Sequence, residues 1–296
     1  MPTPLVSGDL SGRSLLAVFA HPDDESLACG GLLAWCAQLG VHVSLFCATH
    51  GEHGPESDGG RVVPSRPARL REIRARELRA ASRVLGVANL LLLDYEDGML
   101  PWADGEQLET DIRDAIRQLR PDVVITFGED GLYWHPDHIA VHERTTAAVT
   151  SLGAEAPALY YVSMPTGSMR AVLDNAVTTV ARGDGQPPAS AKLRRGSPKP
   201  KGRRRPRLIF GIADADAFGA LAAAPTLVVE TGDFATRKLA AIQCHRSQLG
   251  DDALALVAES DAARLLGIEH YRCAEVGARG DAFIERFAVS PLVLTF

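Results

Sequence analysis

The sequence predicts an α/β protein built on a Rossmann-like, doubly wound and mostly parallel sheet, with a smaller C-terminal portion. Three observations carry this. Short apolar runs of strand length alternate with segments of helical spacing, giving three successive strand, loop, helix units. Polar clusters follow the first and fourth of those runs, and the carboxyl ends of parallel strands are where such sheets bind ligands. The alternation becomes less regular after the fifth run, and a strongly basic stretch then divides the chain.

Each element has a local reason. Ser14–Ala20 is an uncharged run of strand length, and Ser26–Leu39 carries apolar residues at helical spacing until Gly40 stops it. Val41–Ala48 is a second strand. Thr49–Pro67 is rich in Gly and Pro, which predicts a long loop at a strand end, a place where loops tend to be functional. Ala68–Leu85 is strongly helical, with Leu70, Ile73, Leu78, Ala81 and Leu85 near one face and Gly86 as the stop. Leu90–Leu93 is a third strand, ending in the acidic loop Asp94–Gly98; a helix over Gly105–Leu119 and a fourth strand over Asp122–Thr126 follow. Phe127–His135 is then loop, Asp137 can cap a helix running to about Ser151, and Leu159–Val162 is a fifth strand.

These boundaries divide the chain into a core of residues 1–182, a basic insertion at 183–207 and a C-terminal portion, 208–296, expected to wall the cleft. Within the insertion Lys192, Arg194, Arg195, Lys199, Lys201, Arg203, Arg204 and Arg205 lie among Gly, Pro and Ser, so it buries almost nothing and is expected to be mobile. In the last portion, strands are expected at Leu208–Ile212, Thr226–Glu230 and Ala282–Phe287, and helices at Asp233–Leu249 and Asp252–Leu266.

With 46% hydrophobic and 23% charged residues in 296, the chain can bury a sizeable core. A net charge of -6 gives no general attraction to nucleic acid or anionic membrane. The five cysteines are odd in number and form no CxxC pair, so a reduced, cytoplasmic setting is expected, with each thiol packed as a small apolar group. No apolar stretch approaches the roughly 20 residues of a membrane span, and no signal-peptide pattern opens the chain. A homo-oligomer is compatible with all of this.

The chemistry concentrates at two strand ends. The first strand runs directly into His21, Pro22, Asp23, Asp24 and Glu25. Catalytic zinc takes three protein ligands from His, Asp or Glu and leaves one position open for water. His21 and Asp24 can supply two, with Asp23 left to act on the water; the second cluster offers His135, Asp137, His138 and His142. Strands one and four flank the switch point of a doubly wound sheet, so the two loops should meet.

AHPDDE at 20–25 followed by HPDH at 135–138 resembles the LmbE or PIG-L family of zinc-dependent N-deacetylases. The likeness runs from about Leu15 to Gln248, through THGEHG at 49–54, RARELRAASRVLG at 74–86, DYEDGML at 94–100 and KLAAIQCHRSQ at 238–248. It implies His21, Asp24 and His138 as ligands of Zn2+, with other divalent transition metals able to fit the same donors. Asp23 would be the general base, and His135, as an imidazolium, would face the tetrahedral oxyanion or act as acid. Arg74 and Asp97 would contact the substrate, joined by Glu52 from a further strand-end loop and by His245 if it lines the cleft. The implied reaction is hydrolysis of an N-acetyl amide on a small amino-sugar conjugate, releasing acetate and a free amine.

Blander readings stand beside these. HPDD alone is a polar turn with a helix cap, Glu25 a helix-start residue, and His142 a residue outside the ligand set, one turn beyond His138. His50 and His53 read as loop residues, and Gly30 and Gly31 form no nucleotide fingerprint. The basic stretch lacks the aromatic residues that stack on bases. Rival functions are an amidase on a larger thiol-sugar conjugate, a hydratase on the same fold, and a non-catalytic binding module recruiting an acidic partner.

Overall fold

The computed structural model describes residues 8–58, 61–182, 208–212, 214–250, 252–278 and 282–289. The basic insertion expected at 183–207 lies outside them. In chain order the first half contains β1 (Ser14–Phe19), α1 (Asp24–Gln38), β2 (His42–Thr49), the hairpin strands β3 (Glu56–Asp58) and β4 (Arg61–Val63), α2 (Pro67–Leu85) and β5 (Asn89–Tyr95). Next come α3 (Gly105–Leu119), β6 (Val123–Phe127), the single turn α4 (Gly131–Trp134), α5 (Pro136–Ser151), β7 (Ala158–Val162) and α6 (Ser168–Arg182). The chain finishes with β8 (Leu227–Glu230), α7 (Ala235–Ile242), α8 (Glu259–Leu266) and β9 (Ile268–Gly277).

Seven strands make one sheet in the order β5-β2-β1-β6-β7-β9-β8. The five from β5 to β7 are parallel, and β9 runs antiparallel to both β7 and β8. Winding outward from β1 goes to β2 and β5, and from β6 to β7, so the switch point lies between β1 and β6 as expected. Leu15 pairs with Val123 and Ala17 with Ile125, which ends both strands at the same level. Phe19 and Phe127 then meet edge to face at 4.9 Å and close the core beneath the two loops.

β1 is continuous apolar sequence because both of its faces are covered, as parallel strands require. α1 is likewise buried from Asp24 to Cys36, which explains its all-round apolar composition. It breaks at Cys29, where φ is -145°. The freed Gly31 and Leu32 N–H groups donate to Glu269 Oε1 and Oε2 at 2.8 and 2.9 Å, and Lys238 Nζ neutralises that carboxylate from 2.7 Å. A Cβ on Gly31 would sit 2.4 Å from Thr231 Oγ1, so glycine is required for close packing and not for phosphate binding. Elsewhere ends are set locally: Asp104 accepts from Glu106 and Gln107 N–H ahead of α3, and Gly86, with φ 80°, closes α2.

The structure departs from expectation in the irregular parts. The segment Thr49–Pro67 holds the β3–β4 hairpin, and Leu208–Ile212 makes only isolated bridges. The helix expected over Asp233–Leu249 ends at Ile242, where the following turns are drawn to α2 and the first loop. That over Asp252–Leu266 is split by extended backbone at Ala258, ψ 152°. Ala282–Phe287 is no strand: Phe283, Ile284 and Phe287 have the spacing of a helical turn, and they form a 3-10 helix on the core. α6 and β9 carry no sequence expectation; charged Glu269, Arg272 and Glu275 interrupt the apolar pattern of β9.

Candidate active site

β1 and β6 deliver their loops to one place, and three side chains converge there. His21 Nδ1 lies 3.0 Å from His138 Nε2 and 3.5 Å from Asp24 Oδ2, while His138 Nε2 lies 3.2 Å from Asp24 Oδ1. All three side chains are buried. His138 turns its other nitrogen, Nδ1, to the Gly131 carbonyl at 3.0 Å, which fixes the Nδ1–H tautomer and leaves Nε2 with a lone pair. His21 turns Nε2 to two carboxylates, Asp97 Oδ1 and Asp137 Oδ2, each at 3.1 Å, which places a proton on Nε2. Electron-rich atoms of three side chains thus face one another, and only a cation between them satisfies them all.

A metal fits that demand. Bond lengths of about 2.0–2.1 Å to a tetrahedral centre put neighbouring ligand atoms about 3.3–3.4 Å apart, and the observed triangle brackets this value. In the metal-free protein a proton serves instead: burial works against charging His21, but Asp137, Asp24 and Asp97 raise its pKa well above the ordinary histidine value. Asp24 is held well below the usual carboxylate range by His138 and His21 in spite of its burial. Ligand atoms of His21, His135 and His138 also lie within 4.8 Å of one another, as do those of His21, Asp97 and Asp137. The latter group is already satisfied by the His21 Nε2–H shared between carboxylates, so it forms the backing of His21.

Asp23, next to Asp24, has the opposite environment. Burial pushes its carboxyl up to about 7, with the charge of Asp24 adding to the effect and Arg74 opposing it. Arg74 Nη2 donates to Asp23 Oδ2 at 2.9 Å and to the Pro22 carbonyl at 2.6 Å, and its Nη1 donates to the Gly51 carbonyl at 2.8 Å. The backbone of Asp23 is left-handed, φ 127°, a strain of about 1–3 kcal/mol in a non-glycine residue that only a rigid surrounding can hold. A carboxylate poised near neutrality beside a cation site is suited to moving protons.

The second loop is shaped by its own strained turn, with φ positive at Gly131, Leu132 and Trp134. His135 caps α5: its Nδ1 accepts from Asp137 N–H at 3.2 Å. Burial and the neighbouring His138 and His21 push His135 down to about 3, so the imidazolium expected there is corrected to a neutral ring. With Nδ1 accepting, its proton sits on Nε2, which makes His135 a hydrogen-bond donor and not a metal ligand. His142 is separate from the cluster and gives its Nδ1 to the Phe127 carbonyl at 2.9 Å.

With this geometry in place, the chain can be compared with known proteins. The profile of the family described as PIG-L: GlcNAc-PI de-N-acetylase matches residues 16–149. Over 286 residues the chain is 32% identical to 1D-myo-inositol 2-acetamido-2-deoxy-alpha-D-glucopyranoside deacetylase 2 of Catenulispora acidiphila, covering 88% of this chain and 87% of that protein. The chain belongs to the PIG-L family. Two solved structures share the PIG-L fold seen here. N,N'-diacetylchitobiose deacetylase from Pyrococcus horikoshii has a TM-score of 0.56 at 19% identity, covering 88% of this chain and 84% of that one. GalB, the 4-carboxy-2-hydroxymuconate hydratase of Pseudomonas putida KT2440, has a TM-score of 0.57 at 17% identity, covering 91% and 99%.

Of the substrate contacts expected from the sequence, Arg74, Asp97 and Glu52 lie around this centre, whereas His245 does not line the cleft. Asp97 stands behind His21 and accepts the His53 N–H at 2.8 Å through its other oxygen. Arg74 is clamped on the first loop, with only its Nε lacking a partner among the described residues. Glu52 accepts from Asp97 N–H at 3.3 Å through Oε1, and its buried Oε2 has no partner there either. His245 is fully buried behind Glu25. The sequence offers Asp137 as a helix cap or one of four candidate donors in the second loop, and gives Tyr133 no role. Asp137 in fact binds Gly98 and Leu100 N–H besides backing His21, and the Tyr133 ring lies 5.2 Å from that of His138. The HPDH spacing was the available signal for Asp137, since it places that carboxylate in the first helical turn beside the ligand.

Proposed function

We propose that this protein hydrolyses the N-acetyl amide of an N-acetylglucosaminyl conjugate, releasing acetate and a free amine, with zinc held by His21, Asp24 and His138. The observation that carries the reading is the close approach, within 3.0–3.5 Å, of donor atoms from His21, Asp24 and His138 beside the buried Asp23 carboxylate. The substrate class follows the deacetylase relative from Catenulispora acidiphila. A zinc ion in that triangle supplies the positive charge that polarises the amide carbonyl and acidifies water.

The side chains do the rest. Asp23 takes the proton of the attacking water and later hands it to the departing amine; its position near neutrality suits both transfers. Arg74 keeps the Asp23 carboxylate aimed and partly charged. His135 donates Nε2–H toward the oxygen that gains charge as the carbonyl becomes tetrahedral. Glu52, whose buried Oε2 has no partner among the described residues, is the carboxylate assigned to a sugar hydroxyl. Arg74 Nε is the remaining donor on that side, while Asp97 acts on the substrate side mainly by orienting His21. The partner is therefore a small-molecule amino sugar. Among the described residues no helix is long and apolar enough to cross a membrane, and the five thiols, none in a disulfide, suit a cytoplasmic setting.

The test is acetate release from 1D-myo-inositol 2-acetamido-2-deoxy-alpha-D-glucopyranoside and a panel of N-acetylated glucosaminides, with metal content measured on the same preparation. Stoichiometric acetate and amine that disappear on chelation and return with zinc are expected. Full turnover by metal-free protein, or hydration without acid release, would overturn the proposal.

A further inference from the structure

We propose that His245, acting through Glu25 and Ser26, is a positioning residue for Asp23, fixing the strained backbone of the base from near the far end of the chain. This rests on the deacetylase reading. The motif KLAAIQCHRSQ stands out in the sequence, yet the reaction described above gives it no task.

The contacts supply one. Asp23 sits at φ 127°, and such a backbone persists in a non-glycine residue only when its surroundings over-determine it. The Asp23 N–H donates to Glu25 Oε2 at 3.1 Å, and its carbonyl accepts from Ser26 and Leu27 N–H, both at 3.1 Å. The other Glu25 oxygen, Oε1, is gripped by Ser26 Oγ at 2.6 Å and by His245 Nε2 at 3.0 Å. Glu25, Ser26 and His245 are each at most 1% exposed, so no solvent competes for these bonds and the His245 ring cannot reach a substrate in the cleft.

His245 is itself anchored. Two residues on, Ser247 bonds Glu77 on α2 twice, N–H to Oε1 at 2.9 Å and Oγ to Oε2 at 2.6 Å. Arg74 lies one turn earlier on that same helix and holds the Asp23 carboxylate. Two arms therefore meet on the base. One runs from His245 through Glu25 to the Asp23 backbone; the other runs from Ser247 through α2 and Arg74 to its side chain. Both start within three residues of one motif, and Lys238, at the head of that motif, braces the broken part of α1 through Glu269.

The experiment uses the full chain, zinc-loaded, with 1D-myo-inositol 2-acetamido-2-deoxy-alpha-D-glucopyranoside as the probe. His245→Ala should lower kcat by about 10²-fold, the scale of a 1 Å misplacement, with KM and zinc content within about twofold of the parent. In metal-free protein the same change should speed hydrogen exchange at the Asp23 amide by about tenfold or more, a readout independent of any substrate. Ser247→Ala, a milder change, should move kcat and the Asp23 amide in the same directions by less. A raised KM at constant kcat, a kcat loss that follows zinc loss, or an unchanged Asp23 amide in both variants would overturn the proposal. Absence of turnover by the parent protein would instead defeat the deacetylase reading, and amide exchange alone would then decide the positioning role.

Discussion

The two loops that meet at the site are held in different ways. The first, Pro22–Glu25, is clamped from outside: Arg74 reaches in from α2 and His245 from beyond α7. The second, Gly131–His138, aims its histidines from within, by Asp130 on Leu132 N–H, by His135 on Asp137 N–H and by the Gly131 carbonyl on His138, while Asp137 and the Leu132 carbonyl tie it outward to Gly98, Leu100 and Gly219 N–H. The difference separates two tasks. On the proposed reading, a ligand such as His138 is aimed by its own turn, whereas a base that must stay near neutrality needs burial and a nearby cation in balance, and those come from other elements. Asp23 and Asp24 make the point at one peptide bond's distance: one is pushed up to about 7, the other held well below the usual range.

Substitutions can break this contrast, and the largest effect sets one loop against the other. His138→Ala should lose both zinc and turnover, whereas Asp23→Asn should lose about 10²–10⁴ in kcat and keep its zinc, as metal analysis beside kinetics would reveal. Next in size is the backing of His21: Asp137→Asn should weaken zinc binding by about 10–100-fold in a competition with a chelator. His142→Ala, outside the cluster, should leave zinc affinity unchanged. Smaller still is Arg74→Gln. Since Arg74 lowers the Asp23 pKa, its loss should move the acid limb of the kcat/KM profile to higher pH.

The last effect concerns stability, at an acid away from the reaction. Asp252 caps Leu254 N–H at 2.9 Å, its Oδ2 has no partner among the described residues, and burial pushes it up to about 7. Its native pKa therefore exceeds the unfolded value of 3.8. Between those values the native form keeps a proton that the unfolded chain has released, so this group makes stability fall as pH rises through about 4 to about 7 and adds no slope above. Asp252→Asn should remove that component, on the order of a few kcal/mol, from urea midpoints measured across the window.

The parallel half of the fold was legible because its strands are buried on both faces and appear as unbroken apolar runs, and because the polar clusters follow two of those runs directly. The meeting of the two loops followed from the switch point, whereas the choice of His138 among the donors of the second loop came from the family resemblance. The supports were not legible. Asp97, Asp137 and His245 each act on a residue far away in sequence, and nothing in local spacing distinguishes a carboxylate that backs a ligand from one that meets a sugar. The protonation of His135 was misjudged for a related reason: its neutrality comes from crowding by two other rings, which exists only in three dimensions. β9 escaped notice because the charge that caps the broken α1, Glu269, lies within it.

The position of β9 also bears on how this protein is made. Residues 268–277 leave the ribosome late, yet they fill the slot between β7 and β8. Until they arrive, β7 presents an open edge to whatever strand is nearby, and β8 has no neighbour to join. A chain stalled or cut before residue 268 would thus carry His21, Asp23, Asp24 and His138 while lacking the strand that seats Glu269 against α1.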